Sequence, residues 1–194
     1  MLYALAHEVR KELTPQPSLL AARSFERAVA AVSPIERAYV SMVDGPDWRT
    51  ILNPTYRRLA VDPRDPRILL GFELAVDALE STAARCRAAG ADLLVVLLPT
   101  KESVFWPRIA VPEAHPQLRE AVLDEATLGA RLVQRLERAG VEVLDVQPAL
   151  RAASAQPYFE NGDGHPNPFG HAVIAERVAG WVLKKDKVVN RSPN

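Results

Sequence analysis

The sequence predicts an α/β fold with a parallel sheet between layers of helices, because helical and strand patterns alternate along its last two-thirds. Apolar residues recur at three- and four-residue steps from Phe72 to Cys86, which predicts an amphipathic helix that Gly90 ends. The continuous apolar run 91–98 follows and predicts a strand buried on both faces. A helix that joins two such strands favours parallel pairing.

The same order of a predicted helix followed by a predicted strand repeats further along the chain. Apolar residues over 128–136 predict a second helix, which Gly140 ends, and the segment 141–146 predicts a second strand. Pro168 suits the first position of a final helix. Two strands are few for an open sheet and leave both of its edges bare, so we expect the sheet to be incomplete.

The first seventy or so residues carry weaker patterns. Segments 2–13 and 19–32 predict helices, and 38–43 predicts a short strand. The segment 44–66 is rich in Pro, Arg and Asp, which favours an irregular surface segment. No internal repeat or linker divides the chain.

These patterns give a three-part organisation. Residues 1–65 form a helical and irregular segment, residues 66–184 form the C-terminal part of an α/β domain, and residues 185–194 form a disordered tail. A chain of 194 residues is long enough for one domain with a sizeable core.

Composition excludes several classes of partner. Lys plus Arg and Asp plus Glu both number 24, and no dense basic cluster is present, which argues against a nucleic-acid partner. The apolar run 93–98 is far too short to span a membrane.

Cys86 is the single cysteine, so no internal disulfide forms, and the spacing of the histidines does not suit zinc. Without a Gly-rich phosphate loop either, we expect no cofactor and no metal.

The most informative stretch is a Gly-rich loop with Asp163 and His165 two residues apart. Imidazole can take a proton from a hydroxyl near neutral pH, and a neighbouring carboxylate can fix its tautomer. His165 is therefore the candidate general base and Asp163 the acid that orients it. The alternative is that both residues serve as ordinary turn and capping residues.

Three more residues are candidates for substrate binding. Catalytic groups of open parallel sheets gather beyond the carboxyl ends of the strands, where Thr100 and Lys101 follow the first strand. Lys101 could bind an anionic group or meet a carboxylate, or it could face solvent. Asn167 is a third candidate, although its main expected role is to cap the last helix ahead of Pro168.

Two motifs together resemble the SGNH (GDSL-type) hydrolase superfamily, in its branch related to alginate O-acetylation proteins. The first runs from Pro99-Thr-Lys-Glu-Ser to Trp106, and the second is Asp163-Gly-His-Pro-Asn-Pro-Phe-Gly-His171. The resemblance covers roughly Pro66 to Leu183. It implies a flavodoxin-like three-layer α/β/α sandwich and a Ser-His-Asp triad, in which His165 matches the base and Asp163 the acid.

The nucleophile of that family is missing. Its serine lies in a Gly-Asp-Ser motif near the N-terminus, and neither this motif nor Gly-x-Asn-Asp occurs here. Ser41 has no Gly beside it to make the sharp turn that exposes a nucleophile, and Ser103 follows Lys101 and Glu102 on the flank of the expected site. We therefore expect a truncated chain whose serine lies outside this sequence and which alone is inactive. The alternative is a divergent member that has lost the chemistry.

The resemblance implies an ester hydrolase or O-acyltransferase, with an ester or acetylated carbohydrate as substrate. A second hypothesis is a non-catalytic carbohydrate-binding or assembly module on the same scaffold, with Trp48, Trp106 and Tyr158 as aromatic platforms. A third is a structural fragment that self-associates into a homo-oligomer through uncovered sheet edges. Relatives often act outside the cytoplasm, but this sequence indicates no compartment.

Overall fold

The computed structural model describes residues 24–45 and 47–189 of the chain. The helix predicted over 2–13 lies outside the described residues. Of the helix predicted over 19–32, the described part is α1, Phe25–Ala31, which Ser24 caps.

A hairpin and a helix follow α1. Strands β1, Ser41–Asp44, and β2, Arg49–Leu52, pair antiparallel with Ser41 opposite Leu52. Helix α2, Pro54–Val61, begins at once because the Asn53 side chain accepts a hydrogen bond from the amide of Tyr56 and Pro54 occupies the first helical position.

The prediction of an irregular surface segment over 44–66 is therefore wrong. This stretch contains β2 and α2, and Trp48, Ile51 and Leu52 are buried. The strand is only four residues long and three of its four residues are buried, so the sequence shows no alternation of apolar and polar residues from which to predict it.

The C-terminal part contains the parallel sheet. Helix α3, Pro66–Ala88, leads into β3, Leu94–Leu97, and β4, Glu142–Asp145, pairs parallel to β3 with Leu94 opposite Glu142. Short helix α4, Lys101–Phe105, and long helix α5, Pro116–Arg138, connect the two strands. This arrangement confirms the predicted α/β class, as a small parallel sheet with helices around it.

Glycines follow helices α3 and α5 where the sequence predicted. Gly90 and Gly140 have φ of 70° and 71°, a left-handed conformation that glycine adopts without the steric cost of a Cβ atom. Each therefore turns the chain from its helix towards the next strand.

Two helices follow β4. Helix α6, Gln147–Arg151, comes directly after the strand, and α7, Pro168–Val189, begins at the predicted proline. The expected disordered tail from residue 185 is thus helical as far as Val189, and residues 190–194 lie outside the described part.

Strand β3 is not buried on both faces as predicted. All four of its residues are half-buried, and β4 is its single partner among the described residues. Leu98, directly after β3, is 60% exposed, and Leu70 and Leu74 of α3 are also exposed. The described sheet thus has uncovered apolar surface, as expected of an incomplete fold. No helix in the described residues is long and apolar enough to cross a membrane.

The main core joins the hairpin to the C-terminal part. The rings of Trp48 and Phe105 stack with centroids 4.7 Å apart, and Tyr158 meets Phe105 edge-on. Leu52, Val146 and other buried side chains complete this cluster. The hairpin therefore belongs to the same packed body as the sheet.

The start of α7 packs tightly against the chain before it. A Cβ atom at Gly170 would lie 2.1 Å from the carbonyl oxygen of Pro157, whereas one at Gly180 of the same helix would meet nothing within 4 Å. The contact atom at Pro157 belongs to the backbone, so it cannot simply rotate away.

We predict that Gly170→Ala lowers the free energy of unfolding by about 2 kcal/mol or more, since backbone must move to admit the methyl group. Gly180→Ala is the matched control and should raise stability by about 0.5–1 kcal/mol, because alanine favours an exposed helix interior. Urea unfolding measures both. Equal effects of the two substitutions would contradict this packing.

Candidate active site

Residues 158–165, here called the His165 loop, lie over the carboxyl end of β3. The Tyr158 hydroxyl donates a hydrogen bond to the carbonyl of Pro99, 2.7 Å away and just beyond the strand. An isolated bridge between Tyr158 and Pro166 closes the loop at its base. The fold thus brings the loop to the edge of the sheet at which α/β proteins place their catalytic groups.

Asp163 and His165 form the expected pair. The carboxylate oxygen Oδ1 of Asp163 accepts a hydrogen bond from the backbone amide of His165 at 2.9 Å and lies 2.6 Å from Nδ1 of the ring. The His165 side chain is 85% exposed, so the rest of the ring is open to solvent. A proton on Nδ1 would leave Nε2 free to accept another, which is the arrangement a general base needs.

The surroundings of Asp163 favour the ionised form of its carboxyl group. Partial burial opposes ionisation, but the hydrogen bonds from the amide and ring of His165 and the positive charge of Lys101 outweigh it. The pKa of the carboxyl group is consequently held below its ordinary value of 3.8. Asp163 is therefore an anion at neutral pH, as an orienting acid must be.

Lys101 lies inside the protein, beneath the His165 loop. Its side chain is 1% exposed, and Nζ donates to the backbone carbonyls of Asn161 at 2.6 Å and of Asp163 at 3.1 Å. Burial lowers the pKa of the ammonium group to about 7. The solvent-facing alternative is wrong, and the buried ammonium group contacts the loop backbone and not a surface that a substrate could reach.

Thr100 caps the helix that carries Lys101. Its hydroxyl accepts a hydrogen bond from the amide of Ser103 at 3.2 Å, and both its own amide and its hydroxyl donate to the carboxylate of Glu125. The Ser103 hydroxyl donates to the same carboxylate, and Ser103 is 1% exposed. The two hydroxyls thus serve the start of α4.

Asn167 is the N-cap of α7, as predicted. Its Oδ1 accepts a hydrogen bond from the amide of Gly170 at 2.9 Å. Its Nδ2 donates to the carbonyls of Gln156 at 2.7 Å and Tyr158 at 3.1 Å. The side chain therefore fixes the base of the His165 loop with both of its polar atoms.

The sequence analysis missed an ion pair beside the loop. Glu102 is 2% exposed and accepts hydrogen bonds from the backbone amide of Asn53 at 2.8 Å and from Nε of Arg57 at 2.9 Å. The far end of the Arg57 side chain lies against Gly164, where a Cβ atom would fall 1.7 Å from its Nη2. Glu102 stands in the recognised motif, but its partner lies in the segment that was predicted to be irregular.

Two of the three proposed aromatic platforms are buried. Trp48 is buried and stacks on Phe105, Tyr158 is 1% exposed, and Trp106 packs against the same core cluster. The rings of Trp48 and Tyr158 are therefore not available to a sugar, whereas Trp106 is half-buried.

A cavity of about 840 Å³ opens beside the carboxyl ends of the two strands. Thr100, Glu125, Asp145 and Arg151 are among its polar lining residues, and apolar side chains of α5 supply much of the rest. Neither Asp163 nor His165 lines this cavity. The candidate pair therefore lies outside this cavity, with the His165 ring open to solvent. Within the described ranges, no cluster of His, Cys, Asp and Glu is placed to hold a metal ion.

Comparison with known proteins identifies a family. A family model described as the SGNH hydrolase-like domain of the acetyltransferase AlgX matches residues 70–194, more than half of the chain. No curated protein and no solved structure matches the chain. The matched range includes α4, the His165 loop and α7.

We predict that Glu102→Gln lowers the free energy of unfolding by about 2 kcal/mol, because a buried carboxylate that accepts two hydrogen bonds loses its charge. Glu80→Gln is the control, since Glu80 pairs with Arg135 on a more exposed surface; it should cost about 0.5 kcal/mol or less. Chemical denaturation tests this difference, and equal costs would argue against a structural role for the buried pair.

We also predict a pH signature for Asp163. Because its pKa is lower in the folded than in the unfolded chain, ionised Asp163 contributes stability above pH 3.8 that is lost as the pH falls through the folded pKa. The difference in unfolding free energy between the wild type and Asp163→Asn should therefore be larger at pH 7 than at pH 3. A difference that is the same at both pH values would be inconsistent with this account.

Proposed function

The chain belongs to the family of SGNH hydrolase-like domains described for the acetyltransferase AlgX, and from this premise we propose that it takes part in hydrolysing or transferring an acyl group. The proposed substrate is an acetyl ester of a carbohydrate. The match supports an acetyltransferase- or esterase-like scaffold, and the roles of individual residues are our proposal.

The observation that carries the proposal is the contact between Asp163 Oδ1 and His165 Nδ1 at 2.6 Å. In the proposed reaction, Nε2 of His165 takes the proton of a serine hydroxyl while the serine oxygen attacks the acyl carbon. Asp163 remains ionised and stabilises the imidazolium ion. The imidazolium then returns its proton to the departing alcohol oxygen, which leaves an acyl-serine for water or a second alcohol to attack.

The serine is proposed to come from outside this sequence. Ser103 is buried with its hydroxyl on Glu125. Ser41 lies in β1, where its hydroxyl is 3.2 Å from Nδ1 of His115. Neither hydroxyl is hydrogen-bonded to the ring of His165, so the candidate base has no nucleophile from either residue.

The carbohydrate-binding alternative loses most of its structural support. It depended on aromatic rings that could stack on sugars, and Trp48, Trp106 and Tyr158 are instead packed in or against the core. An acid and an imidazole in contact favour chemistry over simple binding, so the acyl-transfer proposal stands alone.

We predict that the 194-residue chain alone does not hydrolyse 4-nitrophenyl acetate above the buffer rate. When the chain is assayed together with sequence that supplies the serine, His165→Ala and Asp163→Asn should each lower turnover by about 10⁴-fold, as in other serine triads. His171→Ala is the matched control, because His171 lies on the exposed side of α7, and it should leave turnover unchanged.

Two results would contradict the proposal. One is clear turnover by the chain alone that His165→Ala abolishes, since the nucleophile would then lie within this sequence. The other is full activity of the serine-containing protein after loss of His165. The rate of acetate release from an acetylated oligosaccharide, compared with the rate of propionate release from a propionylated one, then identifies the preferred acyl group.

A further inference from the structure

Lys101 is the buried cation that the proposed chemistry does not use. It occupies the first position of α4, separated from the end of β3 by three residues, and its side chain reaches the side of the His165 loop that faces the protein interior. Both of its hydrogen bonds go to main-chain carbonyls of that loop, at Asn161 and Asp163. These two carbonyls lie on either side of the residue that precedes Asp163, the proposed catalytic acid. They therefore define the direction of the backbone there.

A second contact fixes the same turn from the side. The Asn161 side chain accepts a hydrogen bond from the amide of Asp163 at 3.0 Å, and Asn161 itself is buried. With the carbonyls of Asn161 and Asp163 directed inward to Lys101, the carboxylate of Asp163 is left to meet both the amide and the ring of His165.

We infer that Lys101 is a positioning residue: from inside the fold, its Nζ holds the two loop carbonyls and thereby sets the geometry of the Asp163–His165 pair. It touches neither substrate nor reacting atoms. The alternative, that Lys101 simply fills the interior, does not explain why its Nζ bonds to the His165 loop. The inference rests on the proposed function only for its catalytic consequence.

The surroundings of Lys101 explain how a cation is tolerated there. Burial disfavours its charge, while the charged groups that face it act in both directions. Glu102, Asp163 and Glu160 favour the ammonium form, and Arg57 disfavours it. A neutral amine keeps two N–H donors, but its bonds to carbonyls are weaker than those of an ammonium group. The loop should therefore respond to the titration of Lys101.

The first test compares two lysine variants by NMR. Lys101→Met keeps the length of the side chain and removes the donors, and Lys184→Met is the control because Lys184 is exposed on α7. We expect Lys101→Met to fold, to shift the amide resonances of residues 161–165 and to speed their hydrogen exchange tenfold or more. Lys184→Met should leave these amides as in the wild type. A folded Lys101→Met whose loop amides are unchanged overturns the inference.

A second test applies if Lys101→Met fails to fold. In the His165→Gln chain, which lacks the imidazole titration, the ¹³Cε resonance of Lys101 is followed with pH in lysine-labelled protein. We expect a midpoint near pH 7 and the same midpoint in the amides of residues 161–165. Loop amides that ignore the titration of Lys101, at whatever pH it occurs, overturn the inference.

These tests read the loop directly and do not need turnover. If the esterase assay fails while the loop follows Lys101, the proposed function is wrong and the positioning role stands. If the assay succeeds while the loop ignores Lys101, the positioning role is wrong and the proposed function stands.

Discussion

The attachment of the His165 loop to the carboxyl end of β3 sets the geometry of the candidate site. A Gly-rich loop has little stiffness of its own, since glycine gives the backbone wide conformational freedom. Hydrogen bonds from two buried groups restrain the loop. The Tyr158 hydroxyl donates to the carbonyl of Pro99, and the Lys101 ammonium group donates to two loop carbonyls. Both groups bind the loop on the side that faces the protein interior, and His165 is exposed on its outer side.

The N-terminal hairpin supports the same loop from its other side. The amide of Ile51 donates to the carbonyl of Glu160, and the hydroxyl of Thr50 donates to the carbonyl of Phe159. Arg57 extends from α2 to the buried Glu102 and contacts Gly164. Residues that precede the family match therefore take part in forming the candidate site, and the hairpin and the sheet act as one scaffold.

Much of the fold and the Asp163–His165 contact could be predicted from the sequence, for identifiable reasons. Helices α3 and α5 carry long periodic patterns and end at Gly90 and Gly140, and the Asp163–His165 contact follows from a spacing of two on a tight loop. The β2 strand and α2 were missed because a four-residue, largely buried strand shows no period. The buried role of Lys101 was also missed, since a lysine next to a glutamate after a strand gives no sign of whether it points inward.

We propose that Asp163 holds the His165 ring with its proton on Nδ1 and with Nε2 free to act as a base. Long-range ¹H–¹⁵N correlation of the ring, recorded where the imidazole is neutral, reads the tautomer directly. We expect a protonated Nδ1 and an unprotonated Nε2 for His165. A ring that carries its proton on Nε2, as most exposed histidines do, would contradict it.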